Sequence, residues 1–247
     1  MYPRAADSLS AVALDSRLLK AAREELWGRG WTRLPDILPR TMLDLLNDEA
    51  DRLLAEVPAG PNARSATDAH GGVLVMNGLD ARSEMLFDFA RTPALTTMAA
   101  FLLGKVAMPI HIEYFGKPKA GAEPTPPHQD QVFYQDHFSD EPAITFWCPL
   151  QDVPVGAGAL EYASLAAANG VLLPHRGSRT VDFGAQLADA DGFEFVRAPV
   201  AAGDCLVHHA YTVHRSGPMA GQGPRRVFAF NYRGSSFRQH LQEAEAG

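Results

Sequence analysis

The sequence predicts an α+β chain: helices first, then a β-sandwich or barrel with those helices packed outside it. Two observations predict this. Up to about Gly104, apolar residues recur at helical spacing with charges between them. From about Val106, the apolar runs become short, aromatic and β-branched, and Pro/Gly-rich turns separate them. Segregated blocks of helix and strand are the signature of an α+β architecture.

Leu19, Ala22 and Leu26 mark the apolar face of a first helix that runs to Gly28. Gly30 to Pro35 is a short strand entering a turn. Thr41 is the expected N-cap of a second helix, with Met42, Leu46, Ala50, Leu53 and Leu54 on one face. A third helix is punctuated at both ends, by Thr92 and Pro93 at its start and Gly104 past its end. The strand candidates are Met108–Phe115, Ala143–Leu150, Gly158–Tyr162, Asp204–His209 and Val227–Tyr232. Gly116–Pro127 and Gly217–Gly223 have loop composition, and no repeat or linker divides the chain. One domain is expected over 1–247, its helical part at about 10–104 and its β core at about 106–235.

Composition narrows the function classes. The chain is 46% hydrophobic and 21% charged with a formal net charge of −7, ordinary for a globular protein. Its densest basic cluster is only Arg225-Arg226, so a nucleic-acid footprint is not expected. The two cysteines, Cys148 and Cys205, lie in apolar strand-like stretches and read as small buried hydrophobes. The N-terminus lacks the apolar core of a signal peptide. The longest apolar region, Met98 to Ile110, is broken by Gly104 and Lys105 and is too short to span a bilayer. A cytoplasmic protein acting on a small molecule, without membrane or nucleic-acid partners, is the expectation.

Three segments carry chemistry. In Pro126-Pro127-His128-Gln129-Asp130, an extended backbone points His128 and Asp130 to the same face. An imidazole and a carboxylate side by side can take adjacent positions around one metal ion. No further His, Cys, Asp or Glu is placed locally to complete the set. Well downstream, His214 opens His-x-Ser-Gly-Pro, and Arg225 opens a later β-like run. A facial set of two histidines and one carboxylate leaves open positions suited to Fe(II) oxygen chemistry. The planar guanidinium of an Arg matches the distal carboxylate of 2-oxoglutarate.

In these segments the chain resembles the phytanoyl-CoA dioxygenase family of Fe(II)/2-oxoglutarate oxygenases, over roughly Gly30 to Tyr232. The resemblance implies a double-stranded β-helix, the cupin-like jelly roll, with N-terminal helices packed on one sheet. It implies Fe(II) on His128, Asp130 and His214, and 2-oxoglutarate held by Arg225 and Ser216. It further implies that Trp147 and Gln129 lie against the cosubstrate. By the same resemblance, O2 and 2-oxoglutarate are consumed, succinate and CO2 are formed, and hydroxylation is the default outcome. Desaturation, epimerisation and cyclisation start from the same hydrogen abstraction and stay open. Related halogenases carry Gly or Ala where Asp130 stands, so oxygen rather than halogen chemistry is implied. Two departures fall in loops that bear on substrate choice: Ala163-Ser164-Leu165, where relatives carry Pro-Gly-Ser-His, and Met219, where they often carry Asn. A binding module that merely retained the scaffold, or a cupin-type metal hydrolase or isomerase, is the rival reading. Neither accounts for a complete ligand set together with Arg225.

Other residues have plainer readings. His208 and His209 read as core or hydrogen-bonded histidines, at most one of them sharing the metal side of its strand. His111 and His175 read as strand or surface residues with the pocket rim as the alternative, and Phe133, Tyr134 and Phe138 as core with the wall of a substrate pocket as the alternative. Arg226 faces away from Arg225 by strand parity. Lys117 has no assigned role, and neither do His70, His137 and His240.

Overall fold

The computed structural model describes residues 15–57, 65–68, 72–134, 141, 143–178, 184–221 and 223–235. The candidates His70, His137, Phe138 and His240 lie outside the described residues.

Helix α1 (Ser16–Arg29) starts at Asp15, whose side chain accepts a hydrogen bond from the Arg17 N–H, and buries Leu19, Ala22 and Leu26. It ends at Gly30 in the left-handed region, φ 95°, a conformation that glycine enters without steric cost. Strand β1 (Trp31–Leu34) follows directly. Helix α2 (Arg40–Ala55) buries Met42, Leu46, Ala50 and Leu53. Its N-cap is Pro39, so Thr41 lies inside the first turn and does not cap it. The helical reading of the N-terminal part missed a hairpin, β2 (Ser65–Thr67) and β3 (Val73–Met76), and helix α3 (Glu84–Ala90). Ser83 caps α3 by accepting from the Leu86 N–H at 3.1 Å. Helix α4 (Pro93–Leu103) lies between Thr92 and Gly104 as expected.

The remaining strands are β4 (Val106–Lys117), β5 (Thr125–His128), β6 (Ala143–Pro149), β7 (Leu160–Tyr162), β8 (His175–Gly177), β9 (Ala185–Leu187), β10 (Val196–Ala198), β11 (Cys205–His209), β12 (His214–Ser216) and β13 (Arg225–Ser235). A seven-stranded sheet runs β1-β11-β6-β13-β4-β3-β2, a four-stranded sheet runs β10-β7-β12-β5, and β8 pairs with β9. The strand pairings within them are antiparallel. The fold is the double-stranded β-helix with helices on the large sheet.

Side-chain alternation gives the large sheet two chemically different faces. On one, Phe146, Phe228, Phe230 and Tyr232 are fully buried in a single core with Leu46, Leu53, Phe89 and Leu102 of the helices. Each such side chain contributes roughly 1.5–3 kcal/mol of burial. Cys148 and Cys205 belong to this core, their Sγ atoms 3.4 Å apart on neighbouring strands. The other face looks toward the small sheet. One end of it is apolar, where Trp147, Leu206 and Val227 pack with Trp31, Leu160 and Tyr162. The rest is polar, because Glu113, Thr145, His208 and Asn231 share the strand parity of that face and line a cavity. No helix among the described residues is long and apolar enough to cross a membrane.

Candidate metal centre and its two cavities

Strands β5 and β12 are antiparallel neighbours in the small sheet, and their register sets His214 opposite His128 and Ser216 opposite Thr125. Directly opposed residues project from the same sheet face about 4.5–5.5 Å apart at Cβ, and the two imidazole centroids stand 4.2 Å apart. Asp130 follows two residues after His128, at the start of a 3₁₀ turn (Asp130–Phe133). Its Oδ1 lies 3.6 Å from His128 Nε2 and 3.4 Å from His214 Nε2. Donor atoms of the three residues all lie within 4.8 Å of one another.

The donor set fits a divalent transition metal. His128 Nδ1 lies 2.8 Å from the Pro126 carbonyl oxygen and His214 Nδ1 3.0 Å from that of Thr212. A carbonyl only accepts, so each Nδ1 carries the proton and each Nε2 lone pair is free for a metal. Burial, with His128 beside it, pushes His214 well below its ordinary pKa. Burial opposes ionisation of Asp130, but the surrounding imidazoles, His214 first, hold its carboxyl well below the usual range. Metal ligation requires neutral imidazoles and an ionised carboxylate, and the shifts of His214 and Asp130 run in that direction.

Asp130 Oδ2 is held separately, 2.7 Å from Thr145 Oγ1 and 3.0 Å from His208 Nε2. On the far side of its ring, His208 Nδ1 lies 2.9 Å from the Tyr162 hydroxyl. His208 is thus the member of the histidine pair on the metal side. His209 packs its ring edge-on against Trp27 of α1, at 5.1 Å.

Two cavities meet at this centre. The inner one, about 50 Å³, reaches from His128, Asp130 and His214 past Trp147 to Ser216 and Arg225. Arg225 is buried, and its guanidinium carbon lies 5.3 Å from the Trp147 ring centroid. The Ser216 hydroxyl donates to Thr125 Oγ1 at 2.9 Å. Arg226 leaves the opposite face of β13 and donates to Asp51 Oδ1 and Asn47 Oδ1 of α2. The outer cavity, about 320 Å³, has Asp130, Glu113 and Phe115 in common with the inner one and extends to His111, Phe133 and Tyr134. That volume lies in the range of small-molecule sites. Asn231 Nδ2 donates to Glu113 Oε2 at 2.9 Å. Burial, reinforced by the Asp130 charge and opposed by Asn231, pushes the Glu113 carboxyl up to about 7.

Of the residues singled out in the sequence, His128, Asp130, His214, Trp147, Ser216 and Arg225 come together around the inner cavity. Gln129 does not, which corrects its expected place against the cosubstrate. Its side chain leaves the other side of the extended backbone, donates to the carbonyls of Val171 (2.8 Å) and Tyr211 (2.7 Å), and accepts from the Leu173 N–H (2.8 Å). It pins two loops to the metal segment. His175 joins this support, its Nε2 accepting from the Gln129 N–H at 3.2 Å. Phe133, Tyr134 and His111 line the outer cavity, the pocket alternative to their core and strand readings. Sequence reasoning passed over Glu113, Thr145, Tyr162 and Asn231. Their one signal is polarity on the inward parity of apolar strands, visible only once the parity is known.

A family model described as Phytanoyl-CoA dioxygenase (PhyH) matches residues 28–227. No curated protein sequence matches the chain. Among solved structures, the non-heme alpha-ketoglutarate-dependent epimerase SnoN from nogalamycin biosynthesis is similar at TM-score 0.72 and 24% identity, covering 90% of this chain and 85% of that one. EvdO2 from Micromonospora carbonacea var. aurantiaca, complexed with 2-oxoglutarate, is similar at TM-score 0.71 and 24% identity, covering 90% and 92%. The alpha-ketoglutarate-dependent carbocyclase SnoK from nogalamycin biosynthesis follows at TM-score 0.67 and 19% identity, covering 96% and 92%.

Proposed function

The chain belongs to the phytanoyl-CoA dioxygenase family of Fe(II)- and 2-oxoglutarate-dependent oxygenases, and on that premise we propose that it hydroxylates a small organic molecule bound in the outer cavity. His128, Asp130 and His214 are the iron ligands in this reading. One observation carries it: three metal-competent side chains converge where a narrow cavity ending at a buried Arg225 meets a wider cavity.

Bound iron, with 2-oxoglutarate and O2, supplies the oxidising power for C–H cleavage, the cosubstrate leaving as succinate and CO2. The chain's residues do the rest. The Arg225 guanidinium pairs with the distal carboxylate of 2-oxoglutarate, and the Ser216 hydroxyl, turned from Thr125 Oγ1, donates to the same group. Trp147 backs the guanidinium with its ring face and fixes its plane. Phe115 and Phe133 present apolar surface to the substrate and keep water from the reacting carbon. Glu113, held from behind by Asn231, accepts a hydrogen bond from a hydroxyl or amine of the substrate.

The test is anaerobic addition of 2-oxoglutarate to the Fe(II)-loaded chain, watching for the weak visible charge-transfer band of a 2-oxo acid chelate. The band should appear, and a chain that binds Fe(II) but gives no band overturns the proposal. A second reading is favoured by likeness to an epimerase and a carbocyclase. Product mass separates the outcomes: one oxygen gained for hydroxylation, no change for epimerisation, two hydrogens lost for ring closure.

A further inference from the structure

We propose that His208 is a positioning residue of the metal centre, its Nε2–H restricting Asp130 to the metal through Oδ1 alone, with the Tyr162 hydroxyl fixing the tautomer that does so. The inference rests on the reading of Asp130 as an iron ligand.

The two oxygens of Asp130 have different neighbours. Oδ1 faces His128 and His214, whereas Oδ2 faces Thr145 and His208. Thr145 and His208 are cross-strand partners on β6 and β11, so both reach Oδ2 from the inner face of the large sheet. Their contributions are unequal. The Thr145 hydroxyl has one proton and stands 2.7 Å from both Asp130 Oδ2 and Asn231 Oδ1. His208 Nε2 is directed at Oδ2 alone, 3.0 Å away.

An ionised carboxylate only accepts, so His208 Nε2 carries a proton, and in the neutral imidazole Nδ1 is then the acceptor. The Tyr162 hydroxyl, 2.9 Å away, therefore donates to Nδ1. Tyr162 is itself immobilised, fully buried and stacked on Trp31 with ring centroids 4.8 Å apart at 15°. A directed relay, phenol to imidazole to carboxylate, thus ends on the oxygen that faces away from the other two candidate ligands. The His208 donor on Oδ2 opposes chelation through both oxygens. A carboxylate limited to one position preserves the open face that the cosubstrate and O2 require. Residues that orient a metal ligand in this way typically matter by 10–100-fold in metal affinity.

The experiment is anaerobic Fe(II) titration of the full chain, with the 2-oxoglutarate charge-transfer band as a second readout, for wild type, His208→Leu, His208→Gln and Tyr162→Phe. His208→Leu removes the donor and should weaken Fe(II) binding roughly 10–100-fold. His208→Gln places an amide N–H near the position of Nε2 and should restore most of that affinity. Tyr162→Phe frees the tautomer and should displace the band while iron stoichiometry holds. A folded His208→Leu with wild-type affinity and band overturns the proposal, as does equal loss in the Leu and Gln variants. Loss in His208→Gln as complete as in His214→Ala makes His208 a ligand and also overturns it. If His208→Leu does not fold, Tyr162→Phe decides: a displaced band supports the relay and an unchanged one overturns it. A wild-type chain that binds no Fe(II) overturns the underlying reading of the site, a result distinct from all of these.

Discussion

Arg225 and Arg226 are neighbours in sequence and opposites in environment. Arg225 is buried at the end of the inner cavity beside Trp147, and Arg226 crosses to Asp51 and Asn47 on α2. Arg225→Ala should therefore weaken 2-oxoglutarate binding by roughly 30-fold or more, the equivalent of about 2–5 kcal/mol for a buried charge-assisted contact. Arg226→Ala should leave it near wild type. Titration of the charge-transfer band measures both, and a larger effect at Arg226 contradicts the assignment. His209 gives a residue-scale prediction of another kind. Burial, with a smaller part from His208, pushes its pKa down to about 4. An unfolded histidine titrates near about 6.5. Below that pH the unfolded chain takes up a proton that the folded chain refuses. This contribution to stability is full above about pH 6.5 and is lost as pH falls toward about 4. At roughly 1.4 kcal/mol per unit it amounts to about 3.5 kcal/mol. His209→Gln should flatten the fall of melting temperature across that window, and an unchanged acid limb would argue against it.

At the scale of elements, the site depends on how short strands are held. β5 and β12 supply the two histidines, yet they span only Thr125–His128 and His214–Ser216. The segment before β12 is anchored to the end of α1, where the Gly30 carbonyl accepts from the Thr212 hydroxyl (2.8 Å) and the His209 N–H (2.9 Å). Gly30 has φ 95°, and a Cβ there would meet Thr212 Oγ1 at 2.3 Å and Leu165 Cβ at 2.9 Å. Gly30→Ala should cost about 2–4 kcal/mol, from left-handed strain and overpacking together. Gly28, with nothing within 4 Å of its Cβ position, is the control. It lies in α1, so Gly28→Ala should raise stability by up to about 1 kcal/mol. Thermal melting of the two variants should move in opposite directions.

At the scale of the whole molecule, the large sheet divides the labour. Its helix-facing side is apolar core, and its inner side combines apolar packing with a polar patch at the candidate metal centre. Buried polar groups of this kind gain when a ligand joins them. Fe(II) at about 100 times its dissociation constant should stabilise the fold by about 2.7 kcal/mol. For a chain of this size that raises the melting temperature by roughly 5–11 °C. The rise should vanish in His214→Ala, which should keep its own fold because its ligand atom opens on a cavity. An equal shift in that variant, measured anaerobically, would contradict the ligand assignment.

The sequence by itself determined the helices with strong punctuation and the chemistry-bearing motifs. Thr92-Pro93 and Gly104 bound α4 because proline and glycine act through local backbone sterics, which need no tertiary partner. His128 and Asp130 were legible for the same local reason, since an extended backbone repeats every two residues. The resemblance, and no local pattern, tied His214 and Arg225 to them. Tertiary structure alone decided what depends on parity and pairing. Helix α3 and the β2–β3 hairpin are too short for a periodic signal, and β5 carries two prolines tolerable only because it is an edge strand. Gln129 turned away to pin two loops, because neighbours on an extended chain face opposite sides. His208 and Tyr162 joined the centre because β11 and β7 belong to opposing sheets, and a sequence does not state which faces meet.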